Sequence, residues 1–233
     1  MKLVLDFDGV LYDTAYEAYL ISKATYEKIY NLKCNIKYRD FLLFRHQVGP
    51  AWNYKYVLDS ICKYGDNGIN YYINERDNAD IFSYSLFETE FFLERDKIKN
   101  ENFNKWVALN KQFPFIKELV GLDLNLDDVY IVSTKDKKSI LDILSFYGDL
   151  RVPAKNIFGS TDYQKYQKKS TLIKSEILTK ETLIFIDDLS EHLTGFENYP
   201  QVKTIYPSWG YIYPVSTDSM NLRNVIQLIA SYV

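Results

Sequence analysis

Three short, mostly apolar runs, Lys2–Leu5, Val129–Val132 and Leu183–Ile186, each stop abruptly at a polar residue. They run into Asp6-Phe7-Asp8, Ser133-Thr134 and Asp187-Asp188 respectively. Each run is too short for a helix and does not alternate, which is the pattern of parallel strands buried on both faces. A helix-period stretch, Lys137–Tyr147, comes after the second run, and weaker strand candidates stand at Asn156–Phe158 and Val202–Ile205. Five strands with helical connections predict an α/β fold, a Rossmann-like doubly wound parallel sheet.

The spacing breaks once. More than a hundred residues separate the first run from the second, whereas the later strands recur at intervals of about 25, the length of a βα unit. The intervening sequence reads as helices at Ala15–Tyr30, Trp52–Tyr64, Ser83–Asp96 and Asn104–Gln112. Turn material such as Val48-Gly49-Pro50 and Gly65-Asp66-Asn67-Gly68 separates them. The expected organisation is a core made of residues 1–14 and 116–233, interrupted by an inserted helical module, 15–115. Phe87, Phe91 and Phe92 stand at helical spacing and read as core of that module, and Asn221–Tyr232 reads as a closing amphipathic helix.

Composition narrows the chemistry. With 28 basic against 31 acidic side chains and no basic block, the chain has little to attract a nucleic-acid backbone, and no nucleic-acid partner is expected. No stretch is apolar enough to span a membrane, and the first apolar run ends at Asp6, short of a signal peptide, so a cytoplasmic location is expected. Two Cys and two His give neither a disulfide framework nor an ordinary zinc centre. A metal here should be a hard cation on carboxylates.

The carboxyl ends of neighbouring parallel strands line one crevice, so the polar residues after each run should meet there. Four carboxylates and a hydroxyl at that density repel unless a cation or protons neutralise them, and Mg²⁺ suits such oxygen donors together with substrate phosphate oxygens. Asp6 and Asp8, two apart, fall on one strand face, and Gly9 gives the backbone freedom to turn. A shielded phosphate can be attacked by one carboxylate while a second protonates the leaving alcohol and then activates water.

Asp6-Phe7-Asp8-Gly9-Val10-Leu11-Tyr12-Asp13-Thr14 resembles motif I of the haloacid dehalogenase superfamily in its phosphatase form. Ser133 resembles its motif II, a helix-opening lysine its motif III, and Asp187-Asp188 its motif IV. Trp209-Gly210-Tyr211 is similar to a sequence of phosphoglycolate-phosphatase-like members, and an insert between motifs I and II is that family's helical C1 cap. The resemblance implies a Mg²⁺-dependent hydrolase of a small phosphomonoester, with a small phosphorylated metabolite as its partner. Asp6 would be the nucleophile and Asp8 the general acid/base. Asp6, the Asp8 carbonyl and Asp188 would hold Mg²⁺ with Asp187 supporting, and Ser133 would bind the transferring phosphoryl group. Lys165, Lys168 and Lys169 cluster where the motif III lysine falls; it is expected to be Lys169, which precedes Leu172 and Ile173 at helical spacing, with Lys168 second. Gly9, Thr134, Lys168, Arg45 and His46 complete the expected substrate contacts.

Each residue also has a plainer reading. Acidic residues at strand ends cap helices and form turns, and Ser133 and Asp187-Asp188 fit that role too. Lys135-Asp136-Lys137-Lys138 reads as a solvated helix start, with the alternative that it adds positive potential near the phosphate site, a smaller effect than a bound Mg²⁺. His46 reads as a solvated loop residue as readily as a reader of the leaving group, and His192 as a neighbour of the site rather than a participant. Cys34 and Cys62 read as packing residues. Three other functions share the motifs or the fold: phosphotransfer by a phosphomutase, dehalogenation, which Asp8 argues against, and non-catalytic binding.

Overall fold

A computed structural model describes residues 1–33, 35–65, 68–211 and 218–233, less the side chains of residues 69, 70, 81 and 83. Cys34 and the Asp66-Asn67 centre of one expected turn lie outside the described residues. The chain divides into two compact units, Met1–Asp13 with Lys111–Val233, and Thr14–Asn110.

The first unit is built on a five-stranded parallel sheet of β1 (Lys2–Leu5), β4 (Val129–Val132), β5 (Ile157–Phe158), β6 (Leu183–Ile186) and β7 (Val202–Ile205), in the order β5-β4-β1-β6-β7. Central β1 pairs with β4 through Leu5↔Ile131 and with β6 through Leu5↔Ile186, so Asp6, Ser133 and Asp187 emerge from one edge. Leu3, Val4, Leu5, Ile184, Phe185 and Ile186 are fully buried. These runs do not alternate because both faces of the sheet are covered. On one face Leu172, Ile173 and Ile177, from and just after α10 (Lys169–Glu176), pack with Val4, Val132 and Phe185. α8 (Lys137–Tyr147) begins at Asp136, whose side chain accepts the Ser139 N–H at 2.7 Å. α11 (Leu222–Ala230) is capped likewise by Asn221 and buries Val225 and Ile229.

A two-stranded ribbon stands where the chain leaves this unit and returns to it. β2 (Tyr12–Asp13) pairs antiparallel with β3 (Lys111–Gln112), and Phe113 N–H donates to the Leu11 carbonyl at 2.9 Å. The expected helix Asn104–Gln112 is thereby corrected: α6 covers only Phe103–Val107, and residues 111 and 112 are strand. Pairing with residues a hundred positions earlier overrides local helical preference there. α7 (Pro114–Val120) then starts with Pro114, whose missing N–H costs nothing in a first turn.

The second unit is helical: α1 (Ala15–Tyr30), α2 (Tyr38–Leu42), α3 (Asn53–Tyr64), α4 (Gly68–Asp77), α5 (Ile81–Glu101) and α6. Ile21, Phe41, Val57, Leu58, Tyr72, Phe87 and Phe91 form its core, with Phe92 packed against it. Cys62 is exposed, which corrects its reading as a packing residue: it stands in the last turn of α3, beyond the buried residues 53–58 and 60. Among the described residues no helix is long and apolar enough to cross a membrane.

One buried ion pair ties the ends of this helical unit together. Glu17 of α1 is wholly buried and accepts from Arg95 Nε at 2.7 Å, Arg95 Nη2 at 3.2 Å and Trp106 Nε1 at 3.0 Å. Removing one partner of a buried pair strands the other's charge, so Glu17→Ala should cost about 3–5 kcal/mol in unfolding free energy. Urea denaturation followed by Trp fluorescence checks this, and a loss below about 1 kcal/mol would contradict it.

Candidate active site at the carboxyl edge of the sheet

The site is assembled by strand register. Because β1 and β6 are neighbours in phase, the first residue beyond each, Asp6 and Asp187, are side by side. Lys169, the first residue of α10, has a fully buried side chain and bridges them, with Nζ 2.9 Å from Asp6 Oδ1 and 2.7 Å from Asp187 Oδ2. Lys168 is exposed at the N-cap position and Lys165 is exposed beside Tyr166. Of the three candidate lysines, Lys169 alone meets the strand-end carboxylates.

Asp187 is held from several sides. Its Oδ1 accepts the Leu189 N–H at 2.9 Å, and His192 Nδ1 lies 3.1 Å from Oδ2. The turn-forming reading of this aspartate is therefore met in part, by the same side chain that grips Lys169. His192 sits on a short 3-10 turn, Ser190–Leu193, and touches the site directly. Asp6 Oδ1 also accepts the Phe7 N–H at 2.7 Å.

Asp188 packs against two glycines. Gly9 has φ +84°, a left-handed conformation that suits glycine, and a Cβ there would lie 2.0 Å from Asp188 Oδ2. A Cβ on Gly210 would lie 2.6 Å from Asp188 Cβ and 2.7 Å from the Gly9 carbonyl oxygen. Tyr211 N–H donates to Asp188 Oδ2 at 3.1 Å, and Trp209 Nε1 donates to the Val10 carbonyl at 3.0 Å. The segment Trp209-Gly210-Tyr211 thus fastens Asp188 to the turn after β1, and both glycines are required by that close approach.

Asp8 is the most open of the acidic set, its side chain 18% exposed, and Lys135 Nζ lies 3.4 Å from its Oδ1. This corrects the reading of Lys135 as part of a solvated helix start: its side chain is 1% exposed, whereas Lys138, three residues on, is exposed. Ser133 is buried and its Oγ accepts the Lys135 N–H at 3.3 Å, while helix capping falls to Asp136. Thr134 is half-buried beside them.

Arg45 and His46 belong to the helical unit, on a 3-10 turn, Arg45–Gln47. Arg45 is buried there with its guanidinium 5.6 Å from the Tyr54 ring, and His46 Nε2 is 2.9 Å from Gln47 Nε2. Burial pushes the His46 imidazole below its ordinary pKa.

Burial raises the Asp6 carboxyl to about 6; Lys169 pulls it down, and Asp187 and Asp8 push it further up. At Asp187 burial also opposes the charge, yet Lys169, His192 and their hydrogen bonds outweigh it and bring the carboxyl to about 2. Burial disfavours the Lys169 ammonium, but the two carboxylates hold its pKa above the ordinary value. Among the carboxylates and ammonium groups, four of the first against two of the second, Lys169 and Lys135, leave a deficit of two positive charges. An all-oxygen donor set with that deficit fits a hard divalent cation. Asp6, Asp187 and His192 also offer donor atoms within 4.8 Å of one another. The Lys169 ammonium stands between Asp6 and Asp187, against two members of that group.

No family model matches the chain, and no curated protein matches it. Solved structures do. A predicted phosphatase from Clostridium acetobutylicum superposes with a TM-score of 0.64 at 15% identity, covering 98% of this chain and 97% of the other. A predicted phosphoglycolate phosphatase from Haemophilus somnus gives 0.61 at 14%, covering 98% and 97%. A haloacid dehalogenase-like family hydrolase from Streptococcus pneumoniae gives 0.58 at 15%, covering 97% of each. The chain therefore has the fold of the haloacid dehalogenase-like hydrolases over nearly its whole length.

An acid whose folded pKa lies above its unfolded value is stabilised below the unfolded value and loses that stability as pH rises to the folded one. In cation-free protein, stability from Asp6 should therefore fall between about 4 and about 6. Asp6→Asn should raise the unfolding free energy at pH 7.5 by on the order of 1–3 kcal/mol, the gain shrinking as pH falls toward 4.5. Thermal melts in EDTA across that range test the sign; a destabilised variant at pH 7.5 would contradict it.

Proposed function

We propose that the chain hydrolyses a small phosphomonoester with Mg²⁺ as cofactor, through an aspartyl-phosphate on Asp6. The observation that carries this reading is the convergence of Asp6, Asp8, Lys169, Asp187 and Asp188 at one sheet edge in a fold shared with haloacid dehalogenase-like hydrolases.

In the first step an Asp6 oxygen attacks phosphorus as the ester P–O bond breaks, and the leaving oxygen takes its proton from Asp8. In the second step Asp8, now a carboxylate, removes a proton from water. The water oxygen attacks phosphorus, the bond to Asp6 breaks, and phosphate leaves with both aspartates restored. Asp6, the Asp8 main-chain carbonyl and Asp188 would hold Mg²⁺, with Asp187 supporting by fixing Lys169. Bound there, the ion supplies charge neutralisation at the phosphoryl oxygens and lowers the repulsion that a carboxylate meets on approaching phosphorus. Lys169, placed against the nucleophile, offsets further phosphate charge, and Ser133 Oγ offers a hydrogen bond to the transferring group. Two aspartates two residues apart are what separates attack on phosphorus from attack on carbon, since Asp8 serves a leaving group that needs a proton.

Purified protein should release phosphate from at least one member of a panel of sugar phosphates, nucleotides and phosphoglycolate, with activity lost in EDTA and restored by Mg²⁺. Asp6→Asn should lower kcat by at least about 1000-fold without unfolding the chain. Full activity in that variant, or no phosphate release from any ester by the wild type, would overturn the reading.

A further inference from the structure

Lys135 takes no part in the two steps of phosphoryl transfer, yet its side chain is as enclosed as that of Lys169. A lysine that only adds surface potential extends into water, as Lys138 does; one that gives up its hydration is held for a partner. Its backbone is fixed on three sides. The Lys135 N–H donates to Ser133 Oγ at 3.3 Å, its carbonyl accepts the Ser160 N–H at 2.9 Å, and the next residue, Asp136, caps α8. The stem therefore projects from a loop of defined geometry, and its Nζ reaches Asp8 Oδ1 at 3.4 Å. Lys169 cannot take this role, because its ammonium lies between Asp6 and Asp187.

We propose that Lys135 is a positioning residue for the acid/base: its ammonium holds Asp8 Oδ1 so that the other carboxylate oxygen faces the leaving group and, later, the attacking water. Asp6 is anchored by Phe7 N–H and Lys169, and Asp187 by three partners, whereas Asp8 lies past the strand end and is the most exposed of the three. Proton transfer requires hydrogen-bond reach, and a displacement of about an ångström costs about 100-fold in rate. The inference rests on the phosphatase reading, and its signature depends on the leaving group. An alkyl oxygen must receive a proton as it departs; nitrophenolate leaves without one. Asp8 is needed again to activate water, whichever ester was cleaved.

The test uses the full chain with Mg²⁺ and compares glycerol phosphate with p-nitrophenyl phosphate in Lys135→Met. For glycerol phosphate, kcat/KM should fall about 100-fold; for p-nitrophenyl phosphate it should stay within about fivefold while kcat and KM fall together. A burst of nitrophenolate should then precede the steady state, because the second step has become slow. Equal losses of kcat/KM on both esters would overturn the proposal in favour of a structural role. A raised KM at unchanged kcat would overturn it in favour of anion binding. Should Lys135→Met fail to fold by circular dichroism, Lys135→Gln is read by the same criteria. Where the wild type does not turn over glycerol phosphate, the alkyl ester of the panel that it does hydrolyse takes its place; wild type inactive on every ester overturns the phosphatase reading and this proposal with it, an outcome distinct from a wild type that is active but insensitive to the substitution.

Discussion

The ammonium of Lys169, shared between Asp6 and Asp187, is the contact on which the rest of the site depends. Two carboxylates on adjacent strand ends, both nearly free of water, would repel each other beyond what hydrogen bonds repair. One buried cation between them makes the arrangement tenable. Strand register sets where the carboxylates are, since Leu5 faces Ile186 across the β1–β6 pair. Packing of Leu172 and Ile173 against the sheet sets where the cation is, since it fixes the first turn of α10. His192 and the Leu189 N–H then lock Asp187, so the Lys169 Nζ has one place to be.

An asymmetry between the two carboxylates results. Asp187 is drawn down to about 2 and Asp6 is left near 6, although both touch the same lysine, because Asp187 has further donors and Asp6 faces two more acids. Asp187 is thereby a fixed anion and Asp6 an anion held at a cost. A group held against its own preference is relieved when a bound ion or a phosphoryl group reaches it, and such strain is how sites trade stability for reactivity. Gly9 and Gly210 serve the same end differently: they let Asp188 lie against the turn after β1 at a distance that any side chain would forbid.

Much of this architecture is legible in the sequence where the signal is local. Unalternating apolar runs mark β1, β4 and β6, their terminal polar residues mark the edge, and the spacing of Lys169 to Leu172 and Ile173 singles out the lysine that meets the strand-end carboxylates. The features that escape a reading of the sequence are decided by distant parts of the chain. Lys135-Asp136-Lys137-Lys138 is uniformly polar, and nothing local separates the buried Lys135 from the exposed Lys138. The Lys135 carbonyl is held by the Ser160 N–H at the start of α9 (Ser160–Tyr166), a partner 25 positions along the chain. The place of Lys135 two residues beyond Ser133 is the one local clue. β2 and β3 are two residues each and lack any periodicity, so local preference points to a helix where a ribbon forms. The partnership of His192 with Asp187 spans five residues around a tight 3-10 turn, which helical spacing does not anticipate.

The central claim is that Asp6 carries the phosphoryl group between the two halves of the reaction. Acid quenching of the protein during turnover of a phosphomonoester, followed by peptide mass spectrometry, tests it most directly. The account predicts one added phosphoryl group on the peptide containing Asp6, at that residue. Turnover with no phosphorylated protein under burst conditions, or with the label on any other residue, would contradict it.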